Sequence, residues 1–305
     1  MMNKDYGKNK KAMSYLSLIT SMLIFGTIGI AVRETGLPSG FIAAVRGAIG
    51  AFFMLPLILL RGRRPSFSAM RRNLPLLIIS GAFIGFNWIL LFESYRYTTV
   101  ATATVLYYTA PIFVAFLSPL LLGTRTGPRR ILLILSAVVG MLLLSEVWLI
   151  DFSADSYLGY PLALGAAVLY ASVTLLNKKM KDISAEDKTL FQLAVAGAVV
   201  LPYTLLTESV SAEMLNPLSI AILLLIGVLH TGIAYALYFG SLDALPADSV
   251  AVLSYVDPIF AVILSIVLLE EPMSLLSAVG AVIILVSAVL LERLPEQLKK
   301  EADKD

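Results

Sequence analysis

The sequence predicts an all-α membrane protein of about ten transmembrane helices, built as two inverted five-helix repeats with both termini cytoplasmic. Three observations predict it. The 305 residues are 58% hydrophobic and only 14% charged, and the mean hydropathy is +0.87. A soluble domain carries charge at roughly a quarter of its positions, so this chain cannot wet the surface of a globule. The apolar residues fall into segments at roughly 12–32, 39–60, 74–94, 100–122, 130–150, 158–178, 189–206, 217–239, 249–269 and 274–291, each near the ~20 residues that cross a bilayer. The third observation is an internal repeat.

Taken in order, the segments are separated by short charged pieces such as Arg61-Gly62-Arg63-Arg64-Pro65 and Lys178-Lys179-Met180-Lys181-Asp182. Helices are the expected element, because backbone groups in lipid must pair within the segment, and a β-barrel would show period-2 stretches instead. The first segment follows Lys4, Lys8, Lys10 and Lys11, as a signal peptide would. It is long for one, however, and Ile30-Ala31-Val32-Arg33 offers no small-residue cleavage site. It reads as a first span.

Orientation follows the basic residues. With the N-terminus inside, 20 of the 23 Lys and Arg face the cytoplasm: four at the N-terminus, five at 61–72, three at 125–130, four at 178–188 and four at the C-terminus. Arg33 and Arg96 fall outside and Arg46 lies within a span, while Glu146, Asp151, Asp155, Glu208 and Glu213 make the outer loops acidic. One inner loop, 243–248, breaks the pattern by carrying acids and no base.

The repeat appears at an offset of 147. Residues 85–122 align without gaps on 232–269, with 14 identities in 38 positions. Leu and Ile matches mean little in an apolar chain, but the pairs Gly85/Gly232, Phe92/Phe239, Ser94/Ser241, Tyr108/Tyr255, Pro111/Pro258 and Ser118/Ser265 are harder to obtain by composition. At a nearby offset Pro56 meets Pro202, and Arg46 meets Gln192. The predicted units are 12–150 and 158–291, flanked by cytoplasmic tails 1–11 and 292–305. Five spans is an odd number, so the second copy starts from the opposite side of the membrane. Inverted halves give a secondary transporter two near-equivalent states open to opposite faces, with the site near the midplane.

These features resemble the drug/metabolite transporter (DMT) superfamily, EamA type: five-plus-five spans, Tyr-x-x-Pro-Ile-Phe in the fourth and ninth, and the closing run 268–274 followed by Gly280-Ala281-Val282-Ile283-Ile284. The resemblance covers 12–291. It implies a cell (inner or plasma) membrane permease whose central cavity is lined by the third, fourth, eighth and ninth spans, in a family that moves amino acids, metabolites and drugs. One departure is that Thr124 stands where the second half has Glu271, so an acidic role there does not carry over to both halves.

Ionisable groups inside spans cost at least about 2.5–3.5 kcal/mol and invite a functional reading. Asp257, His230 (the only histidine) and Arg46 are such groups. They are candidates for ion coupling, or for a structural charge pair of Asp257 with Arg46 or His230; Asp257 and His230 are also candidates for direct contact with the substrate in the cavity. Asp257 precedes Pro258, whose ring should kink the helix and free a carbonyl near residue 254. Ser254, Asp257, Ala261 and Ser265 form a small, polar stripe at helical spacing, either lining a cavity or packing closely. Trp88, Tyr107, Tyr108, Tyr235, Tyr238 and Tyr255 are candidates for an aromatic cavity wall; packing or lipid-facing aromatics are the plainer alternative. Asn87 is polar at mid-span and needs a partner, which makes it a candidate to face the cavity. Glu93 reads as a gate or interface charge, Glu270 and Glu271 as helix-end structure, and Gly26, Gly29, Gly81, Gly85 and Gly232 as close-packing points.

The expected function is alternating-access transport of a small organic solute, an amino acid or related metabolite, with export the expected direction. Hydrophobic cations or drugs are the alternative cargo. A channel or non-transporting scaffold is the alternative class. An enzyme is not expected: there is no cysteine, one histidine, no His-Glu-x-x-His and no Gly-x-x-x-x-Gly-Lys-Ser/Thr. No cofactor or metal is expected, and a net charge of +2 suggests no nucleic-acid partner. The expected partners are the solute, the bilayer and protons. One chain has spans enough to enclose its own pathway, so a monomer suffices.

Overall fold

A computed structural model describes residues 2–98, 100–124, 127–146, 148, 158–269 and 274–294. The described residues contain helices and no strands. The first half comprises α1 (Met2–Gly26), α2 (Ile28–Thr35), α3 (Ser39–Leu60), α4 (Phe67–Arg72), α5 (Leu74–Tyr97), α6 (Val100–Tyr107), α7 (Ala110–Leu122) and α8 (Pro128–Leu144). The second comprises α9 (Gly159–Lys179), α10 (Ala185–Thr207), α11 (Pro217–Leu225), a π-helical segment (Ile226–Ile233), α12 (Ala234–Leu242), α13 (Ala247–Leu253), α14 (Val256–Leu269) and α15 (Leu275–Arg293).

Among the described residues, six helical runs are long and apolar enough to cross a membrane: Gly40–Leu60, Leu74–Ser94, Ala103–Leu122, Gly159–Lys179, Ala185–Thr207 and Pro217–Leu242. The other expected spans are helical but shorter or interrupted. The first is broken at Thr27, which ends α1 and begins α2. The fifth is the 17 residues of α8, and the apolar stretch of the tenth is Leu275–Leu291. The seventh starts earlier than expected, at Ala185, so that Glu186, Asp187 and Lys188 lie inside the helix.

Two breaks fall at matching places. α6 ends at Tyr107 and α7 begins at Ala110, next to Pro111; α13 ends at Leu253 and α14 begins at Val256, two residues before Pro258. Proline lacks the N–H that would close the turn four residues back. The carbonyl of Ser254 is nevertheless not free, contrary to expectation. The Asp257 N–H reaches it at 3.2 Å across a tightened turn, so the backbone satisfies itself locally. The π-helical segment is a further irregularity and has no proline to announce it. There the Thr231 hydroxyl donates to the Ile226 carbonyl five residues back at 2.9 Å.

The halves pack in a pattern that repeats when equivalent helices are exchanged. α5 packs on α9 and α10, while the π segment and α12 pack on α1 and α3; α7 lies on α9, and α14 on α1. The two remaining main contacts pair equivalent helices with each other, α3 with α10 and α8 with α15. Both pairs run antiparallel. At one end of the α3–α10 pair, the Gly40 and Phe41 N–H groups donate to Glu208 at 2.9 and 2.7 Å; at the other, Arg61 pairs with Glu186. In the α8–α15 pair, Arg130 donates to the Leu294 carbonyl at 3.2 Å and Ser277 to the Leu144 carbonyl at 3.0 Å. Glycines make both crossings close. A Cβ on Gly280 would sit 2.5 Å from the Gly140 carbonyl oxygen, and one on Gly47 would sit 3.1 Å from the Gly197 Cα. Gly26, Gly81, Gly85 and Gly232 likewise stand at helix contacts, Gly26 against the carbonyl of Asp257 at 2.9 Å.

Most of the loop charges gather at one end. Arg61 and Arg63 meet Glu186, Arg63 meets Asp187 at 3.7 Å, and Asn73 donates to the Lys181 carbonyl at 3.0 Å. Lys188, fully buried, reaches Asp243 at 2.9 Å, and Lys178 caps α12 through the Leu242 carbonyl at 2.9 Å. Arg130 pairs with Asp248. The acidic loop 243–248 thus fits its basic surroundings: each acid is met by a base from a neighbouring segment.

Candidate functional site

An aromatic ladder runs through the middle of the bundle, crossing between the halves. Trp88 on α5 stands edge-on to Tyr235 on α12, with centroids 6.3 Å apart, and its indole N–H donates to the Tyr235 hydroxyl at 3.3 Å. Tyr235 and Tyr238 both pack against Phe239, at 5.4 and 5.5 Å. Tyr238 meets Tyr170 of α9 at 6.2 Å; Tyr170 meets Tyr107 at 5.7 Å; Tyr107 meets Tyr108 at 5.9 Å; and Tyr108 meets Tyr255 at 5.9 Å. The ladder begins and ends on repeat mates, since Trp88/Tyr235 and Tyr108/Tyr255 are both 147 residues apart. A residue touching its own equivalent lies at the centre of the exchange that relates the halves.

The helix breaks hold the tyrosines. Tyr108 sits between α6 and α7, and the amide that would normally take its carbonyl, that of Ile112, bonds Thr109 instead at 2.9 Å. The Tyr255 hydroxyl donates to that Tyr108 carbonyl. Ser254 and the Tyr170 hydroxyl are 3.0 Å apart, the Tyr238 hydroxyl donates to that of Tyr170 at 2.9 Å, and Thr174 joins Tyr238 at 2.8 Å. Tyr170 and Tyr238 therefore form one hydrogen-bonded group with Ser254 and Thr174, which satisfies these polar tips inside an apolar bundle.

The ladder has two charged poles. Asp257 is partly buried at the start of α14 and accepts a hydrogen bond from the Tyr108 hydroxyl at 3.1 Å. Arg46, 6% exposed, lies with its guanidinium carbon 4.6 Å from the centre of the Trp88 ring, and its Nε donates to Thr231 at 3.0 Å. The charge pair considered from the sequence does not form: among the described residues Asp257 makes no ion pair with Arg46 or His230. His230 turns instead to Thr27, where its Nε2 lies 2.8 Å from the hydroxyl at the α1–α2 break. Helix placement explains the separation, because Asp257 faces the α6–α7 break while Arg46 faces the π segment. Gln192, which matches Arg46 in the repeat, bonds Ser80 of α5. Equivalent helix interfaces thus each carry a polar tie between the halves, and only one tie is charged.

Two expected residues stand apart from this wall. Asn87 donates its amide to the Ala166 carbonyl at 2.6 Å, tying α5 to α9. Glu93 accepts from the Tyr203 hydroxyl, tying α5 to α10. The side chains of Ala261 and Ser265, and Glu270 and Glu271 entirely, lie outside the described residues. Sequence reading missed Tyr170 and Thr174, whose four-residue spacing on an otherwise bland sixth span was the available signal. It also missed Thr27 and Thr231, single hydroxyls that nothing in the sequence sets apart.

An all-helical fold with membrane-crossing helices and a polar-tipped aromatic centre is the build of a polytopic membrane transporter. The sequence pattern of the EamA-like transporter family matches residues 12–146 and 157–293, and the chain belongs to that family, within the DMT superfamily. It is 26% identical to the uncharacterized transporter YxxF of Bacillus subtilis, over 92% of this chain and 90% of that one. It is also 26% identical to a riboflavin transporter of Vibrio cholerae, over 74% of this chain and 75% of the relative. A solved crystal structure superposes with a TM-score of 0.81, covering 92% of this chain and 98% of the other at 20% identity, a likeness of fold alone.

Proposed function

We propose that the protein is a secondary carrier of the cell membrane that moves a small organic solute, an amino acid or related metabolite, by alternating access, with export as its direction. The carrier has ten spans in two inverted halves, 12–150 and 158–291, and both termini lie in the cytoplasm. One observation carries the reading. The α3–α10 and α8–α15 pairs of equivalent helices run antiparallel, as copies related by an axis in the membrane plane must, and the aromatic ladder crosses between the halves. A carrier of this build rocks one half against the other around a fixed central site.

The wall of Tyr107, Tyr108, Tyr170, Tyr235, Tyr238, Tyr255 and Trp88 provides flat apolar faces with hydroxyl tips, suited to a solute with an apolar or ring-bearing body. The riboflavin transporter among the relatives fits that preference for ring-bearing cargo. Asp257 is the proton-coupling group: its hydrogen bond comes from a neutral phenol, so it can take up or release a proton without breaking an ion pair. Asn87 and His230 fix the helices around the site.

Counterflow in liposomes tests this. Vesicles preloaded with unlabelled amino acids should take up the labelled solute transiently above its equilibrium level. Uptake that only equilibrates and never saturates would assign the protein to the channels instead.

A further inference from the structure

We infer that Arg46, Trp88 and Tyr235 form the subsite for the anionic end of the cargo, and that this end is a single carboxylate. The inference rests on the carrier reading and adds to it a chemical class. Arg46 is more than nine-tenths buried, and a buried charge without a partner is strongly unfavourable. Of its five N–H donors, only Nε has an acceptor among the described residues, the Thr231 hydroxyl at 3.0 Å. Among the described residues no carboxylate pairs with it: the ion pairs there all belong to the charged end of the bundle, and Asp257 is held by Tyr108. The remaining donors of the guanidinium fork have no protein acceptor there.

The neighbours complete the subsite. Thr231 donates its own proton to the Ile226 carbonyl at 2.9 Å, so its oxygen is fixed as an acceptor and anchors Nε. The Trp88 ring lies 4.6 Å from the guanidinium carbon, and stacking on an indole face holds the guanidinium plane in place. Trp88 also donates to the Tyr235 hydroxyl, which leaves the Tyr235 O–H with no acceptor among the described residues. A planar two-pronged donor and a phenol O–H then both flank Trp88, and neither has an acceptor among the described residues. A guanidinium recognises a carboxylate through two parallel bonds. One positive charge balances a monoanion, whereas a phosphate monoester carries up to about two negative charges. The aromatic ladder leads from this pole to Asp257 at its other end.

The test uses Trp88 as its own reporter. The protein has two tryptophans, and Trp148, 48% exposed, is removed by Trp148→Phe. Emission from Trp88 is then titrated with free amino acids, aromatic carboxylates, their methyl esters, the matching decarboxylated amines and phenyl phosphate. We expect saturable changes with carboxylates and at least tenfold weaker binding of the esters and amines, a difference of about 1.4 kcal/mol. Arg46→Gln should erase that preference, and Arg46→Lys, which keeps the charge but loses the fork, should retain part of it. The wild-type ligand series decides the matter even where Arg46→Gln fails to fold. Equal or tighter binding of the amines or of phenyl phosphate, no response to any carboxylate, or an unchanged preference in Arg46→Gln overturns the subsite. Counterflow of a solute without a carboxylate would do so while leaving the carrier reading intact.

Discussion

Arg130→Ala is expected to destabilise the protein by about 3–5 kcal/mol, the usual cost of leaving one member of a buried ion pair alone. Both side chains of the Arg130–Asp248 pair are nearly buried, at 7% and 12% exposed. Arg130 does more than neutralise Asp248. It donates to the Leu294 carbonyl at 3.2 Å, so a single guanidinium joins α8, α13 and the end of α15, and with them the two halves. Without it Asp248 keeps, among the described residues, the Ser249 N–H at 2.9 Å. Arg61→Ala is the contrast. The Arg61 side chain is 58% exposed, and such pairs contribute about 0–1 kcal/mol. Thermal unfolding in detergent should show a large fall in midpoint for Arg130→Ala and almost none for Arg61→Ala. The charge-swapped pair Arg130→Asp with Asp248→Arg should recover part of the loss. Equal midpoints for the two alanine variants would show that the buried pair does not brace that end.

Asp257→Asn is expected to abolish accumulation driven by a pH gradient while leaving counterflow in place. The asparagine carbonyl can still accept from Tyr108, so the wall around the α6–α7 break keeps its geometry; what disappears is the exchangeable proton. One pH unit is worth about 1.36 kcal/mol, or about tenfold in concentration per proton. Proteoliposomes holding the wild type under a one-unit gradient should therefore approach tenfold accumulation, and the variant should only equilibrate. Accumulation unchanged in the variant would remove Asp257 from the coupling.

Much of the fold could be read in advance because lipid allows few solutions. Segment positions followed from hydropathy, and Pro258 announced one of the two matching breaks. The acids of loop 243–248 looked anomalous only because pairing with Lys188 and Arg130 depends on helices distant in sequence. The site was half legible. Repeat mates such as Tyr108 and Tyr255 stood out as aromatics in register, but their meeting across the centre required the packing of both halves. The π segment left no mark in the sequence: no proline announces it, and it packs on α3. Arg46 was visible as an intramembrane charge, yet its partners, an indole face and one threonine, are not groups that charge pairing would suggest.

The central claim is that the halves are threaded in opposite senses, and its most direct test is the sidedness of loops from each half. The chain has no native cysteine, so Arg64→Cys, Asp182→Cys and Glu213→Cys each introduce a single thiol. A membrane-impermeant maleimide applied to intact cells should label the thiol at position 213 at once, and those at 64 and 182 only after permeabilisation. Labelling of positions 64 and 182 from opposite faces would contradict inverted threading.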